Sequence, residues 1–305
     1  MEFIEWNIGW NVCFGLLATL IVVGNLFTIR IFLKQRLRKR PYFLLISLAV
    51  ADLLVGLLTV PLYTAGNSVL YLRIPYLLWY SELTDIFTGV ASIFALAAIS
   101  LETMYAIGWP LRHRTLNFRV YIFAIAMPWI LAAIFTSITL LAIFSAITWE
   151  NYVYIRASFL SAPLLVMCIA YYVIWKKQKT MIGNQNHEVR ETRLAKTLFI
   201  ITAASLLTWL PLQILLLLLK LSTFGNLPSY NSTMLITIKV LQFSNSLVNV
   251  IIYPFRISEF KNALLQMLRW CAPVRPHNGR NEVVPVHQGR LGQFHHLQEL
   301  HIPNP

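Results

Sequence analysis

The sequence predicts an all-α fold: a bundle of seven membrane-spanning helices followed by a short amphipathic eighth helix. Three observations carry that prediction. The 305 residues are 57% hydrophobic and only 12% charged. Seven apolar runs of membrane-spanning length recur, at about residues 10–33, 42–65, 82–107, 119–144, 154–176, 194–220 and 232–255. The lysines and arginines fall mostly in the gaps between those runs. Only helices or closed barrels satisfy their backbone in lipid, and alternating ten-residue strands are absent, so helices are expected.

The amino-terminal stretch, residues 1–9, holds Glu2 and Glu5 and no basic residue. That is unlike a cleaved signal peptide, so the first span is expected to insert directly. The gap after it carries Lys34, Arg36, Arg38, Lys39 and Arg40, with Arg30 just inside the helix. Arg112, Arg114 and Arg119 follow span three, and Lys176, Lys177, Lys179, Arg190, Arg193 and Lys196 follow span five. Arg256, Lys261, Arg269, Arg275, Arg280 and Arg290 follow span seven. The other side keeps only Arg73, Arg156 and Lys220, with Lys239 inside a span. The positive-inside rule then places the amino terminus outside and the carboxyl terminus inside.

Span three is the axis of the predicted bundle. Asp85 and Glu102 stand 17 positions apart, roughly 26 Å as a helix, which nearly fills a hydrocarbon slab of about 30 Å. No charge falls between Ile86 and Ile99, and Pro110-Leu111-Arg112-His113-Arg114 is expected to end the helix with a turn. The sequon Asn231-Ser232-Thr233 falls in the last outer loop, which makes Asn231 the glycosylation candidate. Residues 10–255 thus form the bundle. Residues 256–270, with Phe260, Leu264 and Leu268 along one side, read as a helix on the membrane surface. Residues 271–305, rich in Pro, Gly, Asn and His, read as a disordered cytoplasmic tail, with Cys271 a candidate for palmitoylation.

Several classes are disfavoured. A net charge of +13 would suggest nucleic acid on a soluble fold, but here the basic residues border membrane spans. The three cysteines show no CxxC or Cys/His cluster, and the tail histidines show no ligand spacing. GxSxG, HExxH and paired-carboxylate patterns are missing, so no enzyme is expected.

Polar side chains inside the spans carry the functional reading, since each costs a few kcal/mol unless it finds a partner or water, on the order of insertion scales. Asp52 sits mid-span in helix two, and Asn25, Ser92, Asn245, Ser246 and Asn249 lie deep in others. Together they could form an oxygen-rich pocket for a cation or water; a protonated acid bonded to its neighbours is the other reading.

At this point the sequence resembles the rhodopsin-like (class A) G protein-coupled receptors. The resemblance is carried by Gly24-Asn25, Leu48 to Asp52, Trp129, Pro163, Tyr171, Trp209-Leu210-Pro211, and Asn249…Tyr253 followed by Phe255 and Phe260, over about residues 15–270. It implies a plasma-membrane receptor for a small extracellular ligand, with a heterotrimeric G protein as its cytoplasmic partner. It implies no cofactor beyond a sodium ion, at a site of Asp52, Ser92, Asn245 and Asn249. It implies a ligand site of Asp85, Gly89, Phe159, Trp209, Lys239 and Phe243. Glu102, Thr103, Tyr171, Glu191 and Tyr253 would face the G protein.

The departures are specific. Glu102-Thr103-Met104 replaces the family's Asp-Arg-Tyr, so the inner arginine is missing and Glu191 would face an uncharged threonine. Val250 follows Asn249, with the proline displaced to Pro254. Leu78 takes the place of the outer disulfide cysteine, and the loop around Ala146–Tyr152 is short and lacks cysteine. Asp85 matches the acid that holds amine ligands in aminergic receptors, but Lys239 falls in the layer facing it. Lys239 either pairs with Asp85 or snorkels outward. Two other functions remain open: a non-signalling receptor or heteromer partner, and a retinal-binding photoreceptor using Lys239, although the opsin lysine aligns with Phe243.

Overall fold

The computed structural model describes residues 2–34, 41–69, 75–180, 200, 203–215, 218, 232–256, 260–262 and 264–266. All regular structure among them is helical: α1 (Glu2–Lys34), α2 (Pro41–Leu54), a π-helical turn (Val55–Thr59), α3 (Val60–Val69), α4 (Pro75–Gly108), α5 (Pro110–Arg114), α6 (Phe118–Ile143), α7 (Trp149–Thr180), α8 (Ala203–Leu215) and α9 (Ser232–Arg256). Six helical stretches are long and apolar enough to cross a membrane, and α8 is a shorter apolar helix within the sixth predicted run. Exposed Leu16, Leu20, Phe123, Ile130, Leu165 and Ile169 form an outer face suited to lipid, whereas Ile21, Leu48, Ile93, Leu96, Phe135 and Met167 fill the interior.

α4 is the axis, packed against α2, α3, α6 and α7. Small residues Gly89, Ala91, Ala95 and Ala97 lie along it, and at Gly89 the missing side chain leaves room for the Trp209 ring. α1 packs on α2 and α9. There a Cβ on Gly24 would lie 2.8 Å from Val250 Cγ1, so Val250 fills the space that this glycine leaves.

Three local features differ from the sequence expectation. α4 starts at Pro75 rather than near residue 82, because proline at a helix start loses no hydrogen bond. Pro110–Arg114 forms a short helix rather than a plain turn. Span two carries a π turn in which the Val60 N–H donates to Val55 O. Pro61 follows and cannot donate, so the wider turn takes up the break in the helical ladder. The link between α6 and α7 is short, as expected, and turns at Ser145 with φ 60°. Cys13 and Cys168 are free. Phe260 is buried against Phe32 and Tyr253, and Leu264 packs on the same cluster while Lys261 and Leu265 are exposed.

Candidate ligand and ion sites

The helices bring two polar layers together inside the bundle. In the outer layer, Lys239 Nζ donates to Asp85 Oδ2 at 2.6 Å, so the lysine pairs inward instead of snorkelling. Gln242, three residues along α9, donates Nε2 to Asp85 Oδ1 at 3.0 Å. Both carboxylate oxygens are therefore engaged. The ammonium also sits 5.7 Å from the ring centres of Tyr63 and Phe243, close enough for cation–π attraction. One helical turn before Asp85, Glu82 accepts from the buried Arg156 guanidinium of α7. Acids at i and i+3 share one helix face, so α4 presents Glu82 to Arg156 of α7 and Asp85 to Lys239 of α9 from the same face.

Directly beneath lies Trp209. A Cβ on Gly89 would meet its Cη2 at 2.9 Å, so the far edge of the indole reaches the α4 backbone. Phe243 packs edge-on against Phe14 and Tyr63, joining α9 to α1 and α3. Phe159 stacks on Phe135 at 4.4 Å and meets Phe94 at 5.1 Å, which sets it in an aromatic cluster of α4, α6 and α7.

The second layer centres on Asp52. Ser92 Oγ donates to Oδ1 at 2.6 Å and Asn249 Nδ2 to Oδ2 at 2.8 Å, with Ser246 also within hydrogen-bonding reach. Asp52 is fully buried and makes no ion pair among the described residues. Asn245 points elsewhere and accepts from Thr208 Oγ1 at 3.2 Å. Asn25 donates to the carbonyls of Ile21 and Ser246, leaving its own Oδ1 buried without a partner among the described residues. Carboxylate, hydroxyl and amide oxygens with no cationic partner suit a small hard cation. Trp129 Nε1 donates to Ser47 Oγ at 2.9 Å, fastening α6 to α2.

At the inner end, Thr103 Oγ1 donates back to Ile99 O at 2.8 Å. Glu102 is held by His113 Nε2 at 2.7 Å, and Tyr121 Oη lies 3.1 Å from the same nitrogen. Tyr253 is buried among Phe32 and Phe260, and Tyr171 is half-buried. Glu191, Asn231 and Cys271 lie outside the described residues.

Glu82, Gln242 and Tyr63 escaped the sequence reading, which placed Arg156 and His113 in the chain but gave them no part in a site. A signal existed for two of them: Glu82 is three residues from Asp85 and Gln242 three from Lys239, each on the face of a residue already singled out.

Residues 24–253 match the family described as 7 transmembrane receptor (rhodopsin family). The chain is 27% identical over 291 residues to the adenosine receptor A3 of Ovis aries, covering 86% of this chain and 90% of that receptor. It is 25% identical over 291 residues to the adenosine receptor A3 of Bos taurus, with the same coverage of 86% and 90%. It is also similar to the histamine H2 receptor of Cavia porcellus, 26% identical over 328 residues, covering 96% of this chain and 88% of that receptor.

Proposed function

The chain belongs to the rhodopsin family of seven-transmembrane receptors, and we propose that it takes a small extracellular ligand between α4, α7, α8 and α9 and signals to a cytoplasmic heterotrimeric G protein. It does so at the plasma membrane with its amino terminus outside, the orientation that the Lys and Arg distribution supports. Relatives named for adenosine and for histamine, two small molecules, favour a small ligand.

The observation that carries this reading is the contact of the Trp209 ring edge with Gly89, directly inward of the Asp85–Lys239–Gln242 layer. A ligand that alters the charged layer reaches the indole, and any swing of the indole changes how α8 seats on α4. Signalling requires the ligand to bind one bundle arrangement better than another, and this contact is where the two would differ. Asp52, Ser92, Ser246 and Asn249 would hold a sodium ion one layer further in, where its charge would offset the buried carboxylate and favour the arrangement that keeps the layer closed.

Asp85→Asn keeps the shape and removes the charge. It should abolish the ligand response while surface expression persists; an undiminished response would reject this site.

A non-signalling receptor or heteromer partner is the second reading. It is favoured by Thr103, whose hydroxyl is spent on its own helix, and by Glu102, which is tied to His113. G protein activation by Thr103→Arg but not by the parent would support it, and activation by the parent would set it aside.

A further inference from the structure

We propose that the ligand is uncharged and presents a neighbouring hydrogen-bond donor and acceptor, as an amide or heterocyclic lactam edge does, rather than an ammonium or a carboxylate. The inference rests on reading the Asp85 layer as the ligand site.

Charge balance is the first argument. Among the described residues, the ion pairs of the outer layer are Glu82 with Arg156 and Asp85 with Lys239, two acids against two bases. Asp85 has both oxygens occupied. An incoming ammonium must displace Lys239 or add an uncompensated charge beside it, and a carboxylate leaves an acid in excess. Either change strands an ion in a low-dielectric interior, which costs far more than a neutral hydrogen bond returns.

Unpartnered atoms are the second. Gln213 Nε2 and Oε1, Gln242 Oε1, Arg156 Nε and Trp209 Nε1 are all buried without a hydrogen-bond partner among the described residues. Buried polar groups are ordinarily paired, so several orphans in and just beneath the Asp85 layer point to a missing occupant. Helix register gathers them. Trp209 lies on Gly89, and spans three and six run in opposite directions. Gln213, four residues outward of Trp209, therefore comes to the height of Asp85, four residues outward of Gly89. A primary amide offers a donor and an acceptor side by side, the complement of an amide or lactam edge. Gln242 Oε1 adds an acceptor, and Arg156 Nε and Trp209 Nε1 add donors.

The test uses the purified full-length receptor in lipid nanodiscs and two probes, adenosine (uncharged) and histamine (an ammonium), with affinity read from the ligand-dependent melting shift. The parent should be stabilised by adenosine and not by histamine, and Gln213→Leu should weaken adenosine roughly tenfold, the loss expected for one buried hydrogen-bonding group. Lys239→Met leaves Asp85 uncompensated and should raise histamine affinity at least about tenfold; Lys239→Gln serves if the methionine variant does not fold. A histamine gain in the variant upholds the charge rule even where adenosine is not the heterocycle accepted. Preference of the parent for histamine, or no gain in a folded Lys239 variant that still binds adenosine, overturns it. Folded parent and variant that bind neither probe would count against the site itself, and the charge rule would go with it.

Discussion

Lys239 Nζ on α9 lies 2.6 Å from Asp85 Oδ2 on α4, a contact between residues 154 positions apart in the chain. The side chains are 16% and 5% exposed, so the pair is shielded from water on both sides. Two consequences follow from physics alone. The pair ties α9 to the bundle axis, and it cancels the charge that an amine ligand would otherwise seek. Removing either partner leaves an ion in a poor solvent, which is costlier than never having had the pair.

Gly89→Ala tests the contact beneath that pair. Its methyl would stand 2.9 Å from Trp209 Cη2, so the indole must swing away from α4. Overpacking of this kind costs about 1–3 kcal/mol. The variant should melt below the parent, with altered tryptophan fluorescence and altered basal output. Parental values of all three would mean that the ring does not press on the helix axis.

Gly24→Ala tests the α1–α9 seam in the same way, since a Cβ there would lie 2.8 Å from Val250 Cγ1. A loss of about 1–3 kcal/mol is expected, and adding Val250→Ala should recover most of it. Additive losses in the double variant would show that the two side chains do not share space.

Asp52→Asn tests the inner polar layer. Sodium chloride should raise the parent's melting temperature above that in choline chloride at equal ionic strength, since a cation bound only to the native state stabilises it. The asparagine variant keeps the hydrogen bonds with Ser92 and Asn249 geometrically available but loses the charge, and the sodium effect should vanish. A sodium effect that survives the substitution would place the ion elsewhere.

Much of the bundle was legible because lipid leaves little freedom: an apolar run of sufficient length must be a helix. Asp52 and Asp85 stood out for the same reason, as acids that lipid would not tolerate without a partner or water. What could not be read was rotation and depth. Glu82 and Arg156 meet only because α4 and α7 present those faces at one height, which no single helix pattern reveals. His113 finds Glu102 because Pro110–Arg114 folds as a helix and returns toward α4. The π turn at Val55–Thr59 depends on how Pro61 is accommodated, and proline alone permits a kink, a break or a bulge. Asn245 was grouped with Asp52 by depth and by the resemblance, and its hydrogen bond from Thr208 is a contact that neither reveals.

The most direct test is a charge-reversal cycle on Asp85 and Lys239, read as the melting temperature of the full receptor. Asp85→Lys and Lys239→Asp alone each place like charges together and should lower stability by about 3–5 kcal/mol, whereas the two together restore opposite charges and should melt close to the parent. A double variant no more stable than the weaker single one would contradict the pairing of α4 with α9 on which the site depends.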